Sequence, residues 1–174
     1  MTLAPALASL AFLSAGVWLV RRKIAIVTVT GRSMEPTFTA GDRVLVRRAR
    51  VRSVNTGQIV VVESPAPGTG GKWTGEPPRH SLGRNWMIKR VAAIPGEPAP
   101  DGMPETVAVG AVPDGCLLVL GDNAEMSMDS RYLGYIPGER LLGIVVASLP
   151  RRAGSTDDQM QNDLLSRPQE PSAT

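Results

Sequence analysis

Leu3 to Val20, LAPALASLAFLSAGVWLV, runs for 18 residues without a charged side chain and stops on Arg21-Arg22-Lys23. At about 1.5 Å per helical residue, such a run just crosses a bilayer core of about 30 Å. It predicts one N-terminal transmembrane helix. A cleaved signal peptide would carry its basic residues ahead of the apolar run, whereas here they follow it. An uncleaved membrane anchor with a basic flank is therefore expected over residues 1–23. The rest of the chain divides into a domain over 24–150 and a polar tail over 151–174 that has no core pattern and is expected to be disordered.

The whole chain has 174 residues, enough for one domain with a core and too few for two comfortable ones. Only 4% of it is aromatic, while 18 glycines and 15 prolines punctuate it, which favours short strands and turns over long helices. The expected fold is mostly β. "IAIVTVT", "GDRVLVRR", "NTGQIVVVES", "NWMIKRVAAIPGE" and "ERLLGIVVASL" each read as a strand, and "ETVAVGAVPDGCLLVLGDN" as two more around a turn. Pro65 to Leu82 is a Pro/Gly-rich loop, somewhat long, that could form a flap or a substrate contact.

A formal charge of +3 and a pI near 9.5 raise the question of nucleic acid. The basic residues are scattered and not interleaved with aromatics, so no nucleic acid is expected, and an anionic membrane surface is the more natural partner. The single cysteine, Cys116, excludes an internal disulfide and reads as a small buried hydrophobe. No cluster of His, Cys or carboxylates has ligand spacing, so neither a metal nor another cofactor is expected.

Three stretches carry possible chemistry. In "GRSMEPTF" Ser33 follows a strand and Gly31 and precedes a proline turn, so its hydroxyl sits on a fixed bend. A serine nucleophile needs a base. The only histidine, His80, lies in the Pro/Gly-rich loop and is poorly placed for that task. Lysine is scarce: of 19 basic residues only Lys23, Lys72 and Lys89 are lysines. A two-residue period puts Lys89 on one strand face with Met87, Val91 and Ala93, an ammonium in an apolar row. Burial there would lower its pKa and leave part of it neutral, able to take a proton as arginine cannot. From this strand alone, the simpler expectation is that Lys89 snorkels to the sheet rim with its stem on apolar neighbours. The third stretch, "GDNAEMSMDSRYLGYIP", is a polar turn after an apolar strand, in which Asp129 and Arg131 are close enough to pair and to fix the Ser127 hydroxyl. Taken alone it reads first as an Asx-type turn with a surface ion pair.

In this order "GRSMEPTFTAGDRVLV", "MIKRVAAIPGE" and "GDNAEMSMDSRYLGYIP" resemble the type I signal peptidase family, membrane-bound Ser-Lys endopeptidases that remove signal peptides. The resemblance covers nearly every ordered segment from Thr28 to Pro137. It implies an antiparallel β-sheet catalytic core, without the large accessory insertion of the best-known Gram-negative enzymes. It implies Ser33 as nucleophile, Lys89 as general base, Ser127 as the residue orienting the amine, and Asp129 and Arg131 as support. The Ser33 N–H is one candidate oxyanion donor; Gly31 stands where some members carry a second, a serine hydroxyl. Substrates would be exported precursors cut after small residues, of the Ala-x-Ala type. Two shallow pockets would receive those residues, with Met34, Met87 and Val91 as candidate lining. Met34 and Phe38 could instead touch lipid or belong to the core.

The family works on the extracytoplasmic side of the cell membrane, and that side is expected here, although the positive-inside rule applied to Arg21–Lys23 argues for the other. A dedicated maturation protease for one precursor would have the same three stretches. A self-cleaving repressor would have a DNA-binding helix-turn-helix where this chain has its apolar run. A non-catalytic, membrane-anchored β domain that binds lipid or partner proteins is the non-enzyme alternative.

Overall fold

The computed structural model describes residues 23–77, 85–108 and 110–149. Among the described residues there are seven strands: β1 Ile24–Thr28, β2 Arg43–Arg48, β3 Ile59–Glu63, β4 Trp86–Ala93, β5 Cys116–Leu120, β6 Ile136–Pro137 and β7 Leu141–Leu149. They form one sheet in the order β1-β2-β7-β3-β4-β5-β6, with neighbours antiparallel. The expected mostly β, antiparallel architecture is the one found. The N-terminal anchor, His80 and the tail after Leu149 lie outside the described residues; among the described residues no helix is long and apolar enough to cross a membrane.

The run Val60-Val61-Val62 explains how the sheet holds together. All three valines are fully buried although consecutive strand residues point to opposite faces, so β3 must be covered on both sides. Val61 packs with Val27, Val44, Val46, Ile88 and Leu142 on one face. Val60 and Val62 pack with Val91, Leu117, Val119 and Ile144 on the other. A third cluster, Ala93, Met103, Val107, Val112 and Leu118, closes the far end.

Two expectations are corrected here. "ETVAV" is not a strand: Glu105–Ala108 is one helical turn, α1, begun by Pro104, whose carbonyl accepts from Val107 N–H at 2.8 Å. A proline entering the turn and a glutamate within it suit a helix start, and the buried Val107 ties it to the third cluster. The apolar row around Lys89 is also shorter than two-residue alternation suggests. The β4–β5 register shifts between Val91 and Ala93, so Ala93 leaves the face of Met87, Lys89 and Val91 and joins the third cluster.

The loop after β3 is fastened from Gly75 back to the sheet. Arg140, 4% exposed, sets Nη1 at 2.8 Å from Glu63 Oε2 and donates through Nη2 to the Gly75 carbonyl at 2.8 Å. Trp73 Nε1 donates to the Glu63 carbonyl at 3.0 Å. Its described part, up to residue 77, is therefore held and not a free flap. Removing one side of a buried pair strands the other charge. Glu63→Leu should lower the unfolding free energy by about 3 kcal/mol or more, and adding Arg140→Met should restore part of it; denaturant titration followed by tryptophan fluorescence reads both.

Candidate active site

The serine stretch leaves β1 through Gly31, whose φ of +81° is a backbone conformation that favours glycine. The next residues are held from below by Met34, 1% exposed in the core, and Phe38, whose N–H donates to the Met34 carbonyl at 2.9 Å. Ser33 is thereby presented above the apolar layer. Both Met34 and Phe38 belong to the core rather than to a lipid-facing patch, because the bend needs them as its anchor.

Lys89 comes from the middle of β4, opposite Val60 of β3, and is 3% exposed. Its Nζ stands 2.6 Å from Ser33 Oγ. Burial is the largest influence on the amine and lowers its pKa to about 8; the nearby Asp129 carboxylate opposes the shift and the Arg131 guanidinium reinforces it. The amine does not snorkel to the rim. Near pH 8 a charged Nζ donates to the serine oxygen, and a neutral one can accept the serine proton.

The third stretch is organised by Asp129, fully buried. Arg131 donates to its carboxylate from Nε at 3.0 Å and from Nη2 at 2.7 Å, Gly121 N–H at 2.9 Å and Ser127 Oγ at 2.6 Å. The Arg131 backbone N–H adds a fifth bond at 3.2 Å. Burial alone would push this carboxyl up, but the five hydrogen bonds together hold it below the usual carboxylate range. The Ser127 proton is thus committed to Asp129, which leaves lone pairs on its oxygen as acceptors. The bond that Nζ makes among the described residues goes to Ser33. The short helix α2, Ser130–Leu133, follows, with the buried Ser130 Oγ accepting from Val119 N–H at 2.9 Å.

Several residues that the sequence reading passed over join these stretches. Asn123 N–H donates to the Ser33 carbonyl at 3.1 Å. A Cβ on Gly121 would lie 2.2 Å from Ser127 Oγ and 2.6 Å from the Ser33 carbonyl oxygen, so only a glycine lets the two turns meet. Arg90, next to Lys89 but on the opposite side of the strand, grips Asp122 at 2.8 and 2.7 Å and the Gly57 carbonyl at 3.0 Å. Thr37 Oγ1 also donates to Asp122. One residue from each stretch, Thr37, Arg90 and Asp122, thus meets at a single knot. The signal for it was an arginine alternating with the buried lysine and an acid beginning the polar turn.

Among the described residues the Ser33 N–H donates to no atom, so it is free to receive a negatively charged oxygen. Of the candidate pocket residues, Met34 and Val91 are each 1% exposed and offer almost no surface, while Met87 is half-buried on the lysine face. A cavity of about 540 Å³ lies further along, between the Ser64–Pro67 segment, Asn85 and the Met128, Tyr132 and Leu133 side. Met128 and Tyr132, both largely exposed, follow Ser127 closely and were not predicted.

A pattern described as "Signal peptidase, peptidase S26" matches residues 3–100 and 98–149. The chain belongs to the signal peptidase family, peptidase S26. It is a hydrolase, a serine peptidase. Similar curated proteins include "Probable signal peptidase I-2" of Synechocystis sp., 28% identical, with 81% of this chain and 71% of that protein covered. "Probable signal peptidase I-1" of the same organism is 29% identical, with 64% of this chain and 63% of that protein covered. "Mitochondrial inner membrane protease subunit 1" of Mus musculus is 30% identical, with 64% of this chain and 61% of that protein covered.

The close approach at Gly121 gives a direct test of how peptidase geometry depends on backbone contact. Gly121→Ala should reduce kcat/KM on any cleavable substrate by about 100-fold or more, since displacements near 1 Å cost that much, and circular dichroism should show the sheet retained.

Proposed function

We propose that the protein is a membrane-anchored endopeptidase that removes N-terminal signal or leader peptides from exported precursors after small residues, using Ser33 and Lys89 as a dyad. The observation that carries this reading is the 2.6 Å approach of a desolvated amine to a serine hydroxyl on a fixed bend. Neutral Lys89 takes the proton of Ser33 as Oγ attacks the carbonyl carbon of the scissile bond. The Ser33 N–H receives the resulting oxyanion. The ammonium then protonates the departing amine, the acyl group stays on Ser33, and Lys89 deprotonates the water that releases it.

Ser127 is proposed to accept an N–H of the neutral Lys89 amine and so to aim its single lone pair at Ser33, with Asp129 and Arg131 holding Ser127 in turn. Residues 1–23 serve as a single-pass anchor, 24–150 as the catalytic domain and 151–174 as a polar tail. The catalytic side is extracytoplasmic, where exported precursors emerge. A dedicated processor of one precursor is the second reading, because such an enzyme would carry the same stretches around Ser33, Lys89 and Ser127.

Cleavage of a model precursor with an Ala-x-Ala site by the detergent-solubilised protein tests the dyad. Ser33→Ala and Lys89→Met should each lower kcat by about 1,000-fold or more; unchanged cleavage in both would overturn the assignment. Because the active amine is the unprotonated form, kcat/KM should climb as pH rises through about 8 and then level off. A rate still climbing steeply at pH 10 would contradict a depressed lysine.

A further inference from the structure

The register of the first two strands brings a set of cations to one place. Ile24, which opens β1, stands opposite Arg47 of β2, so Arg48 and Arg50 continue past the point where the chain enters the sheet from Lys23. Lys23, Arg47 and Arg50 are exposed and Arg48 is half-buried. Among the described residues none of the four has an ion-pair partner. Arg52, also exposed, follows in the next turn. Asp114 shares a cavity wall with Arg52, and Glu139 follows Gly138, which packs on Val51, but neither is ion-paired to the four cations. The like charges of the four repel one another, and an anionic surface outside the domain would relieve that repulsion.

Chain connectivity says which surface. Val20, the last residue of the uncharged run, precedes Ile24 by four residues, which span at most about 14 Å whatever their conformation. If that run is in the bilayer, as the proposed function holds, its end lies within about 14 Å of Ile24, the residue that faces Arg47 across the strand pair. The outward face also carries Ile26, 52% exposed, beside the half-buried Leu45 to which it pairs. Guanidinium groups bordering an exposed aliphatic residue match phosphate headgroups bordering acyl chain.

We propose that Lys23, Arg47, Arg48 and Arg50 form a collar that docks the first end of the sheet on anionic phospholipid, fixing the domain against the bilayer. It rests on the membrane-anchor reading above. Without the collar the domain would swing on its tether.

The test is hydrogen exchange of the full chain in nanodiscs of phosphatidylcholine alone or with one third phosphatidylglycerol. Amides of residues 49–54 should exchange at least about threefold more slowly in the anionic discs, and about 0.5 M salt should erase the difference. The triple variant Arg47→Gln/Arg48→Gln/Arg50→Gln should lose the protection. Arg43→Gln, at the other end of β2, should keep it, and the triple Arg→Lys variant should keep most of it. Unchanged exchange across the two lipids, equal slowing by phosphatidylcholine, or protection reproduced by inorganic phosphate in detergent would each overturn the collar. Matching exchange of the triple variant and the natural protein in detergent shows the fold intact. Failure of the anchor reading looks different: the chain would not co-elute with phosphatidylcholine discs. In that event pelleting with phosphatidylglycerol vesicles decides the collar alone, salt-released binding supporting it and no binding refuting it.

Discussion

Lys89 keeps almost no contact with water, and its nearest polar partner is the hydroxyl of Ser33. Holding an ammonium there at neutral pH costs on the order of 3 kcal/mol relative to solvent, from a pKa lowered from 10.5 to about 8. That cost shapes its surroundings. The amine can sit in the sheet only because β3 beside it is covered on both faces and will not let the strand open. A nearby carboxylate is needed to keep the depression moderate, and Asp129 supplies it. Asp129 is itself fully buried and would be intolerable unpaired, so Arg131, Ser127 and the Gly121 amide gather on it.

The same chain of needs explains why residues far apart in sequence are so closely fitted. The polar turn after β5 must bring Asp129 beneath the lysine and also meet the serine bend, which it does through the Asn123 amide and the side-chain-free face of Gly121. Arg90 and Asp122 then hold the lysine strand and the turn together from the other side, with Thr37 adding the serine stretch. Chemistry and scaffold share neighbouring positions on a few short segments.

Much of this was legible in the residues themselves. Runs of β-branched residues between glycines and prolines marked the main strands, because alternation and burial act locally on them. A lone lysine in an apolar row, a serine after a glycine and a polar turn after an apolar strand gave the three pieces. Their junctions were not legible: the Arg90–Asp122 grip and the Arg140–Glu63 pair join residues 32 and 77 positions apart, and the closeness that excludes a side chain at Gly121 reaches back to Ser33. Nor could alternation reveal the register shift that turns Ala93 away from Lys89, or the proline-led helical turn in "ETVAV". Those depend on which partner strand lies alongside.

Lys89 and Arg90 are consecutive residues of one strand with opposite assignments. One faces inward to the serine, and the other faces outward to Asp122. A slip of β4 by a single residue would exchange them, because every side chain then changes faces. The strand would still be basic, still paired and still close to Ser33, yet a guanidinium cannot give up its proton. The hydrogen-bond ladder from Ile59–Arg90 to Glu63–Trp86 is therefore more than support. It is the part of the molecule that tells two cations apart.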